Sequence, residues 1–193
     1  MTAPEERLTL AIVIGSTREG RRGPAIAEWF RTVARQRRNM DLDVIDLAAA
    51  GLPDVLTDSR PPEVTSLASR LDKSDAFVIV TPEYNHSFPA PLKSAIDWYS
   101  AEWQAKPVGF VSYGGISGGL RAVEQLRQVF AELHAVTVRN TVSLHGISAR
   151  LAQEGTLLDS DGSEEAARAM LDQLAWWARA LKEARIARPY AAH

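Results

Sequence analysis

The chain has 193 residues, of which 46% are hydrophobic, and this is enough for one sizeable core, so we expect a single domain over residues 1–193. Its 22 basic and 24 acidic residues give a formal net charge of -2, which disfavours a protein that binds nucleic acid through general positive charge. The sequence has no cysteine, no apolar stretch of the roughly eighteen residues that a membrane span needs, and no signal-like N-terminus, so we expect a cytoplasmic protein without disulfides or thiolate metal sites.

The first predicted strand is the apolar run 8–14, and a glycine-rich, arginine-rich loop follows it over residues 15–24. Pro24 suits the first turn of a helix, so the loop leads from a strand into a helix N-terminus. Unpaired amide hydrogens and the positive end of the helix dipole make such a junction a natural anion site. The loop lacks the ATP-type phosphate pattern and the dinucleotide glycine pattern, which favours a mononucleotide phosphate. A solvated surface loop is the alternative interpretation.

The second predicted strand is 42–47, where apolar and acidic residues alternate as they do nearer the edge of a sheet. Residues 48–62 are rich in Ala, Gly, Pro and Asp, which predicts a long connection that could border a site. A helix is predicted from Pro61 to about Ser74.

The stretch 77–98 is the one around which the chain is organised. Residues 76–80 predict a strand that is buried on both faces, and residues 81–87 then place an aromatic ring, an amide and a carboxylate at the carboxyl end of that strand. In an open α/β sheet, ligands bind at this end of the strands. Because Pro82 and Asn85 are also ordinary turn formers, a simple connection is the alternative.

A helix is predicted to open at Pro89 and to continue through a stripe of apolar residues at helical spacing: Leu92, Ile96, Tyr99 and Trp103. The apolar arc is wider than one sheet should cover, which favours self-association, although aromatic residues at this spacing are also common in cores. Lys93 and Asp97 stand four residues apart and are expected to form an exposed ion pair.

The fourth predicted strand, 106–112, leads into residues 113–119, which contain four glycines. Such a loop allows the backbone to approach a flat ligand or to donate several amides, whereas a hinge is the alternative for Gly118 and Gly119. A helix follows with one apolar face. Residues 135–138 and 141–144 predict a fifth strand with an irregular extension.

A long final helix is predicted from the spacing of its core residues: Ala167, Leu171, Leu174, Ala178 and Leu181. Trp176 and Trp177 are expected to adjoin this stripe, and residues 187–193 are expected to fray. Residues 159–162 are interpreted as a turn rather than a calcium loop, since the remaining ligands are missing. The four histidines show no metal-ligand spacing, and we predict no metal site.

The alternation of five strands with five helices predicts an α/β fold, a parallel sheet covered by helices on both faces. Right-handed crossovers place every strand-to-helix loop on one edge, so the loops after strands one, three and four should converge. In the flavodoxin-like strand order 2-1-3-4-5, FMN binds at the gap between strands one and three. Here that gap would lie between loop 15–24 and loop 82–87.

Three segments together resemble the NADPH-dependent FMN reductase family of flavodoxin-like proteins, which includes flavin, quinone, azo-dye and chromate reductases. The segments are GSTREGRRGPAIA, TPEYNHSFPAPLKSAIDW and SYGGISGGLRAVEQLR, and the similarity extends from about Leu8 to Thr141. The most specific part is PEYN followed by LK and AIDW. The resemblance implies a flavodoxin-like sandwich with FMN as cofactor and NADPH or NADH as hydride donor.

The resemblance also implies which residues bind the cofactor. Ser16 and Arg18 would hold the FMN phosphate. The isoalloxazine ring and the ribityl chain would be bordered by Pro82, Glu83, Tyr84 and Asn85. The other side of the ring would be lined by Ser112, Gly114 and Gly115. Many members carry Ser and Asn where this chain has Arg21 and Gly23, so phosphate contacts by Arg21 or Arg22 are left open.

The activity implied is hydride transfer from NAD(P)H to FMN, followed by two-electron reduction of a small-molecule acceptor in a ping-pong sequence. No catalytic side chain is required, and Glu83 is interpreted as structural. A flavodoxin-type electron carrier is the alternative, although such carriers tend to be more acidic than -2. A structural or regulatory protein with an empty site is a third possibility. We expect a homodimer or homotetramer; the acceptor and the preferred nicotinamide stay open.

Overall fold

The structure is a computed structural model, and it describes residues 7–152, 156–158 and 162–191. Most of the turn predicted at 159–162, the N-terminal segment and the last two residues lie outside this described part. The strands are β1 (Leu8–Ile14), β2 (Met40–Asp46), β3 (Ala76–Pro82), β4 (Pro107–Tyr113), β5 (Val136–Thr137) and β6 (Val142–Leu144). The helices are α1 (Gly23–Ala34), α2 (Leu47–Ala50), α3 (Pro62–Lys73), α4 (Ala90–Asp97), α5 (Leu120–Glu132) and α6 (Ser163–Ala187).

The sheet is parallel throughout, in the order β2-β1-β3-β4-β5, and β6 also pairs with β4. The predicted flavodoxin-like order is therefore confirmed. β5 and β6 occupy the same edge position one after the other, since β5 pairs with the start of β4 and β6 with its end. This is the fifth strand with the irregular extension that the sequence predicts.

Two hydrophobic clusters cover the two faces of the sheet. Alternate residues of β1 point to opposite faces, so Ile12 packs under α1 and α6, whereas Val13 packs under α3, α4 and α5. The central strands β3 and β4 are buried along their whole length, as expected for a parallel sheet between two helical layers. β2 is only partly buried and forms the predicted edge.

The helix after the third strand is shorter than predicted. α4 ends at Asp97, and Trp103 lies in the turns that follow, where its ring packs edge-on against Phe77 at 4.6 Å and Phe130 at 5.4 Å between ring centroids. The wide apolar arc is therefore covered within the chain, and the prediction of an outward apolar face on this segment was wrong. The predicted ion pair between Lys93 and Asp97 is present, with an N–O distance of 2.6 Å.

Other differences from the predictions are local. Asp46 accepts a hydrogen bond from the amide of Ala48 and caps the short helix α2, which has too few residues for a periodic pattern. On α6, Trp176 does not adjoin the core, because 63% of its surface is exposed. Among the described residues, no helix has both the length and the apolar character that crossing a bilayer requires.

Candidate functional site

The loops after β1, β3 and β4 meet at the carboxyl edge of the sheet. The first of them is the arginine loop (residues 15–22), the second is the Tyr84 turn (residues 84–87), and the third is the glycine loop (residues 114–119). The guanidinium of Arg18 lies 5.3 Å from the centroid of the Tyr84 ring, which joins the first loop to the second. The amide of Glu83 donates to the carbonyl of Tyr113 at 3.0 Å, which joins the residues that immediately precede the second and third loops.

Ser16 forms the floor of the arginine loop. It is fully buried, and its hydroxyl oxygen accepts a hydrogen bond of 3.1 Å from the hydroxyl of Tyr113 at the end of β4. Burial raises the pKa of Tyr113 to about 12, which outweighs the opposing effects of the Ser16 hydrogen bond and the nearby arginines. The phenol therefore stays protonated and can act as the donor at neutral pH.

The three arginines of the loop have different partners. Arg18 is exposed and stands over Tyr84. Arg21 makes two 2.6 Å hydrogen bonds to the Asp46 carboxylate, which raise the pKa of Arg21, and a third of 2.9 Å to the carbonyl of Ser16. Arg22 donates to the hydroxyl of Ser148 at 2.7 Å. Of the three, Arg18 is the cation that faces the meeting point of the loops.

The Tyr84 turn is a tight hairpin in which the amides of Tyr84 and Ser87 donate to each other's carbonyls at 2.8 and 3.0 Å. Asn85 and His86 both have positive φ, 49° and 73°, as a type I′ turn requires. Gln125 on α5 holds the turn from behind, because its side chain donates to the carbonyl of His86 at 3.0 Å and accepts from the Ser87 hydroxyl.

Glu83 ties the Tyr84 turn to the start of α5. Its side chain is only 6% exposed, and one carboxylate oxygen lies 2.7 Å from the Arg121 guanidinium. The other oxygen accepts from the hydroxyl of Ser117 at 2.6 Å and from the amide of Arg121 at 3.3 Å. Both oxygens are engaged, which agrees with the interpretation of Glu83 as structural.

The glycine loop is anchored on its outer side to the segment after β6. The amide of Gly114 donates to the carbonyl of Leu144 at 3.2 Å, and the carbonyl of Gly115 accepts from the amide of Gly146 at 2.9 Å. Gly119 has φ of +86°, and a Cβ there would lie 2.8 Å from the amide nitrogen of Tyr113. Gly118 and Gly119 are buried, and close packing accounts for glycine at both positions.

The predicted site residues divide into an accessible rim and a buried layer. Ser112 belongs to the buried layer: it is fully buried, and its hydroxyl donates to the carbonyl of Gly118 at 2.8 Å, so it supports the glycine loop from below. The accessible members are Arg18, Tyr84, Asn85, Gly114 and Gly115, whereas Ser16, Pro82 and Ser112 are buried. The Glu83 side chain lies between the two groups, with 6% of its surface exposed. The structure thus brings all nine residues to one edge, where Ser16 and Ser112 have no exposed surface.

Several residues of this edge were missed by the sequence reasoning. Two of them contact predicted site residues: Tyr113 contacts Ser16, and Arg121 contacts Glu83. The other two hold the loops that carry the site: Asp46 pairs with Arg21, and Gln125 holds the Tyr84 turn. Asp46 and Tyr113 are the last residues of β2 and β4, so their position at the carboxyl ends of strands was a usable signal. Gln125 and Arg121 gave none, because outward polar residues on a helix are ordinary.

A cavity of 770 Å³ lies elsewhere, in a groove between α5, α6 and the β5–β6 edge. Arg127 in that groove is committed to the carbonyls of Val138 and Arg139, so cavity size alone does not mark the site. A smaller cavity of 240 Å³ adjoins the arginine loop at Thr17 and is lined by Gly51 and Asp54 among others. The connection after β2 therefore does border a pocket beside the candidate site.

Within the ranges that the structure describes, no three His, Asp or Glu side chains group as a metal site would require. The chemistry available at the edge is instead an exposed cation, an aromatic ring and a set of backbone amides. That combination suits a ligand with a phosphate and a flat ring system.

Comparisons with known proteins agree with this chemistry. Residues 8–149 match the family described as NADPH-dependent FMN reductase. An NAD(P)H-dependent FMN reductase of Schizosaccharomyces pombe is 37% identical over 142 residues, which cover 67% of this chain and 70% of that protein. A quinone reductase of Escherichia coli K12 is 30% identical over 149 residues, covering 74% of this chain and 79% of that protein.

Solved structures support the fold. The flavoenzyme NAD(P)H:(acceptor) oxidoreductase FerB from Paracoccus denitrificans superposes with a TM-score of 0.66 at 24% identity, covering 91% of this chain and 98% of that one. RosB, solved with a bound riboflavin-phosphate intermediate, superposes with a TM-score of 0.74 at 14% identity, covering 95% of this chain and 82% of that one.

Proposed function

The chain belongs to the NADPH-dependent FMN reductase family, and from that membership we propose that it is an NAD(P)H-dependent, FMN-containing reductase of flavins, quinones or similar small acceptors. The observation that carries the proposal is the convergence of the arginine loop and the Tyr84 turn, joined by the contact between Arg18 and Tyr84. They meet at the gap between β1 and β3, where sheets of this strand order bind FMN.

The residues at this edge fit a flavin mononucleotide. Arg18 is an exposed cation just ahead of the N-terminus of α1, where backbone amides also favour an anion. At Gly115 an added Cβ would meet no atom within 4 Å, so a flat ring has room to approach the backbone. A cationic end for the phosphate and an open, partly aromatic end for the ring are what this cofactor needs.

When bound, FMN would supply the redox chemistry: it accepts a hydride at N5 from NAD(P)H and passes two electrons to the acceptor. The protein's task is to bind and orient the cofactor. Arg18 would hold the phosphate above the floor formed by Ser16. The ring would be bordered by Tyr84, Asn85, Gly114 and Gly115, supported from beneath by Pro82, Glu83 and Ser112. Amides of the glycine loop would offer hydrogen bonds to negative charge on the reduced ring.

Anaerobic mixing of the FMN-loaded protein with NADPH or NADH tests the activity. We expect bleaching of the oxidised flavin spectrum, and recovery of the spectrum when a quinone or free flavin is added. Persistence of the oxidised spectrum with both nicotinamides would contradict the proposal. The same screen, run over several acceptors and both donors, ranks the substrates.

We propose further that residues 1–193 act as one FMN-binding domain in the cytoplasm. Both hydrophobic clusters share β1, β3 and β4, which supports a single cooperative unit over the described residues. The lack of cysteine and the need for reduced nicotinamide support the compartment. Fractionation of cells that express the protein would test the second point, with recovery in a secreted or membrane fraction contradicting it.

A homodimer or homotetramer is also proposed. Its support is the exposed aromatic pair on α6, Trp176 and Trp177, whose ring centroids are 5.0 Å apart. Exposed aromatic side chains are enriched where subunits meet. Sedimentation velocity should show a mass above that of one chain, and a Trp176→Ser variant should shift the distribution toward the monomer. A wild-type protein that sediments as one chain at all concentrations would rule this out.

A further inference from the structure

We propose that Tyr113 and Arg21 are positioning residues for the FMN phosphate, and that both act by fixing Ser16. The inference rests on the proposed function, because it concerns the phosphate end of the same site. Neither residue binds the cofactor in the proposal above, and neither presents an exposed positive charge to it.

Ser16 is held at two points. The Tyr113 hydroxyl donates to its side-chain oxygen at 3.1 Å, and the Arg21 guanidinium donates to its backbone carbonyl at 2.9 Å. Tyr113 reaches it from the end of β4, and Ser16 itself immediately follows β1 and Gly15. Ser16 is therefore held against the sheet by the side chain of Tyr113 from β4 and by the side chain of Arg21 within the arginine loop.

The hydroxyl of Ser16 keeps a free hydrogen. A hydroxyl has one hydrogen to donate and two lone pairs to accept with, and Tyr113 uses one lone pair. Because the buried phenol stays protonated, it remains a donor to Ser16. The Ser16 hydrogen is not used in that contact, so it remains to be accepted by a phosphate oxygen of FMN.

Three of the five N–H donors of Arg21 are already used within the chain. Its guanidinium makes paired 2.6 Å contacts with the Asp46 carboxylate, and the side chains of Arg21 and Asp46 are 19% and 26% exposed. The charge of Arg21 is thereby matched by an adjacent carboxylate. The remaining contact, to the carbonyl of Ser16, orients the loop. Asp46 also caps α2, so the arginine loop is tied to the end of β2.

Gly23 makes this arrangement possible. A Cβ at that position would lie 2.5 Å from the Ser16 hydroxyl oxygen, 2.7 Å from a methyl carbon of Ile14 and 3.3 Å from the Tyr113 hydroxyl. No side chain fits at this position beside the Tyr113–Ser16 pair. Glycine at position 23 thus leaves the space that the hydrogen bond between Tyr113 and Ser16 occupies.

The test measures dissociation constants for FMN and for riboflavin, which lacks the phosphate, on wild-type protein and on Tyr113→Phe, Ser16→Ala and the double variant. Loss of one hydrogen bond that orients a ligand group should weaken FMN binding about fivefold. Riboflavin binding should be unchanged. In the Ser16→Ala background, Tyr113→Phe should have no further effect on FMN, because its route of action is gone.

A second pair of variants tests Arg21. Arg21→Gln should weaken FMN binding by about tenfold, because a charge-assisted contact to Ser16 is lost and Asp46 is left unpaired near the phosphate. Arg22→Gln is the matched control, since Arg22 contacts Ser148 instead, and we expect no change in its FMN affinity. Thermal unfolding of each apo-protein separates loss of fold from loss of affinity.

Several outcomes would overturn the inference. Unchanged FMN affinity in Tyr113→Phe and Arg21→Gln, with lowered apo stability, would make both residues merely structural. Equal losses for riboflavin and FMN would place the effect away from the phosphate. Additive losses in the double variant would show that Tyr113 does not act through Ser16. If the wild type binds neither FMN nor riboflavin, both the proposed function and this inference are wrong. That outcome is distinct from the others because it appears in the wild type and not only in the variants.

Discussion

Single residues at the carboxyl edge of the sheet have roles that depend on their partners. Arg18, Arg21 and Arg22 lie within five positions of one another, yet one stands over an aromatic ring, one is paired with a carboxylate and one reaches a serine hydroxyl. A guanidinium that is already paired with a carboxylate contributes little to attracting a second anion. Arg18 is therefore the residue whose charge is available to a phosphate.

Arg18→Ala should weaken FMN binding by roughly tenfold or more, because a charge-assisted contact to phosphate contributes about 1.5–3 kcal/mol. Riboflavin binding should change less, and the salt dependence of FMN affinity should become shallower. Isothermal titration at two ionic strengths measures both effects. Arg22→Ala serves as the control of equal charge change. An FMN dissociation constant that is the same in Arg18→Ala and wild type would instead indicate a solvated loop.

The Tyr84 turn offers a prediction about stability. His86 has φ of 73°, which costs an L-residue about 1–2 kcal/mol and costs glycine almost nothing. His86→Gly should therefore raise the free energy of unfolding by up to about 1 kcal/mol, after the greater entropy of glycine in the unfolded chain is offset. Urea unfolding measures this change. His86→Ala keeps the Cβ and removes the imidazole, so it should bring no gain; an equal gain in both variants would point to the imidazole rather than the backbone.

Among the elements, the long regular ones could be predicted from the sequence and the short or folded-back ones could not. β1, β3 and α5 carry apolar residues at a clear period, so their positions follow from the pattern. Trp103 repeats at helical spacing after α4, but spacing cannot distinguish a continued helix from a chain that turns back and buries the same ring. The short α2 has no period to detect.

The site shows the same division. The loops and their edge could be predicted because strand order and crossover handedness are general rules. The burial of Ser16 could not, because it depends on Tyr113, which lies 97 positions away in the sequence. Likewise, no local pattern predicts that the carboxylate of Glu83 accepts a hydrogen bond from Ser117 and pairs with Arg121.

Lys106 joins two elements and gives a prediction for pH. Its ammonium group, at the start of β4, donates to the carbonyls of Leu71 and Asp72 at 3.0 and 2.8 Å near the end of α3. Burial lowers the pKa of Lys106 from 10.5 to about 8, outweighing the opposite effect of nearby carboxylates, Asp72 first among them.

Between those two pH values the unfolded chain binds a proton at this position that the folded chain has released. The contribution of Lys106 to the free energy of unfolding therefore rises with pH across the window, by on the order of 1 kcal/mol or more. Urea unfolding from about pH 7 to 10 should show this rise in wild type and not in Lys106→Met. Parallel pH profiles for the two proteins would show that Lys106 does not titrate there.

At the scale of the whole molecule, the site draws on every central strand. The arginine loop leaves β1, the Tyr84 turn leaves β3 and the glycine loop leaves β4, while Asp46 ties in β2. A ligand that contacts the loops after β1, β3 and β4 is bound by the folded protein and not by the unfolded chain. Its binding energy should therefore appear as stability of the entire sheet.

FMN at about a hundred times its dissociation constant should stabilise the protein by about 2.7 kcal/mol, which corresponds to a rise in Tm of roughly 5–10 °C for a chain of this length. Differential scanning fluorimetry or calorimetry over an FMN titration measures the rise. Arg18→Ala should require a higher FMN concentration for the same shift. A Tm that does not respond to FMN in the wild type would count against binding at this edge.

The anchoring of the loops has a consequence for how the cofactor comes and goes. The loops around the site are held by contacts within the chain: Glu83 to Arg121, Gly114 to Leu144 and Gln125 to His86. Little chain entropy should therefore be lost when the cofactor binds. Stripping at high salt and refilling should thus be possible without passing through denaturant. Such a protein can be reconstituted with flavin analogues of altered redox potential, which gives a series of enzymes that differ in the potential of their cofactor.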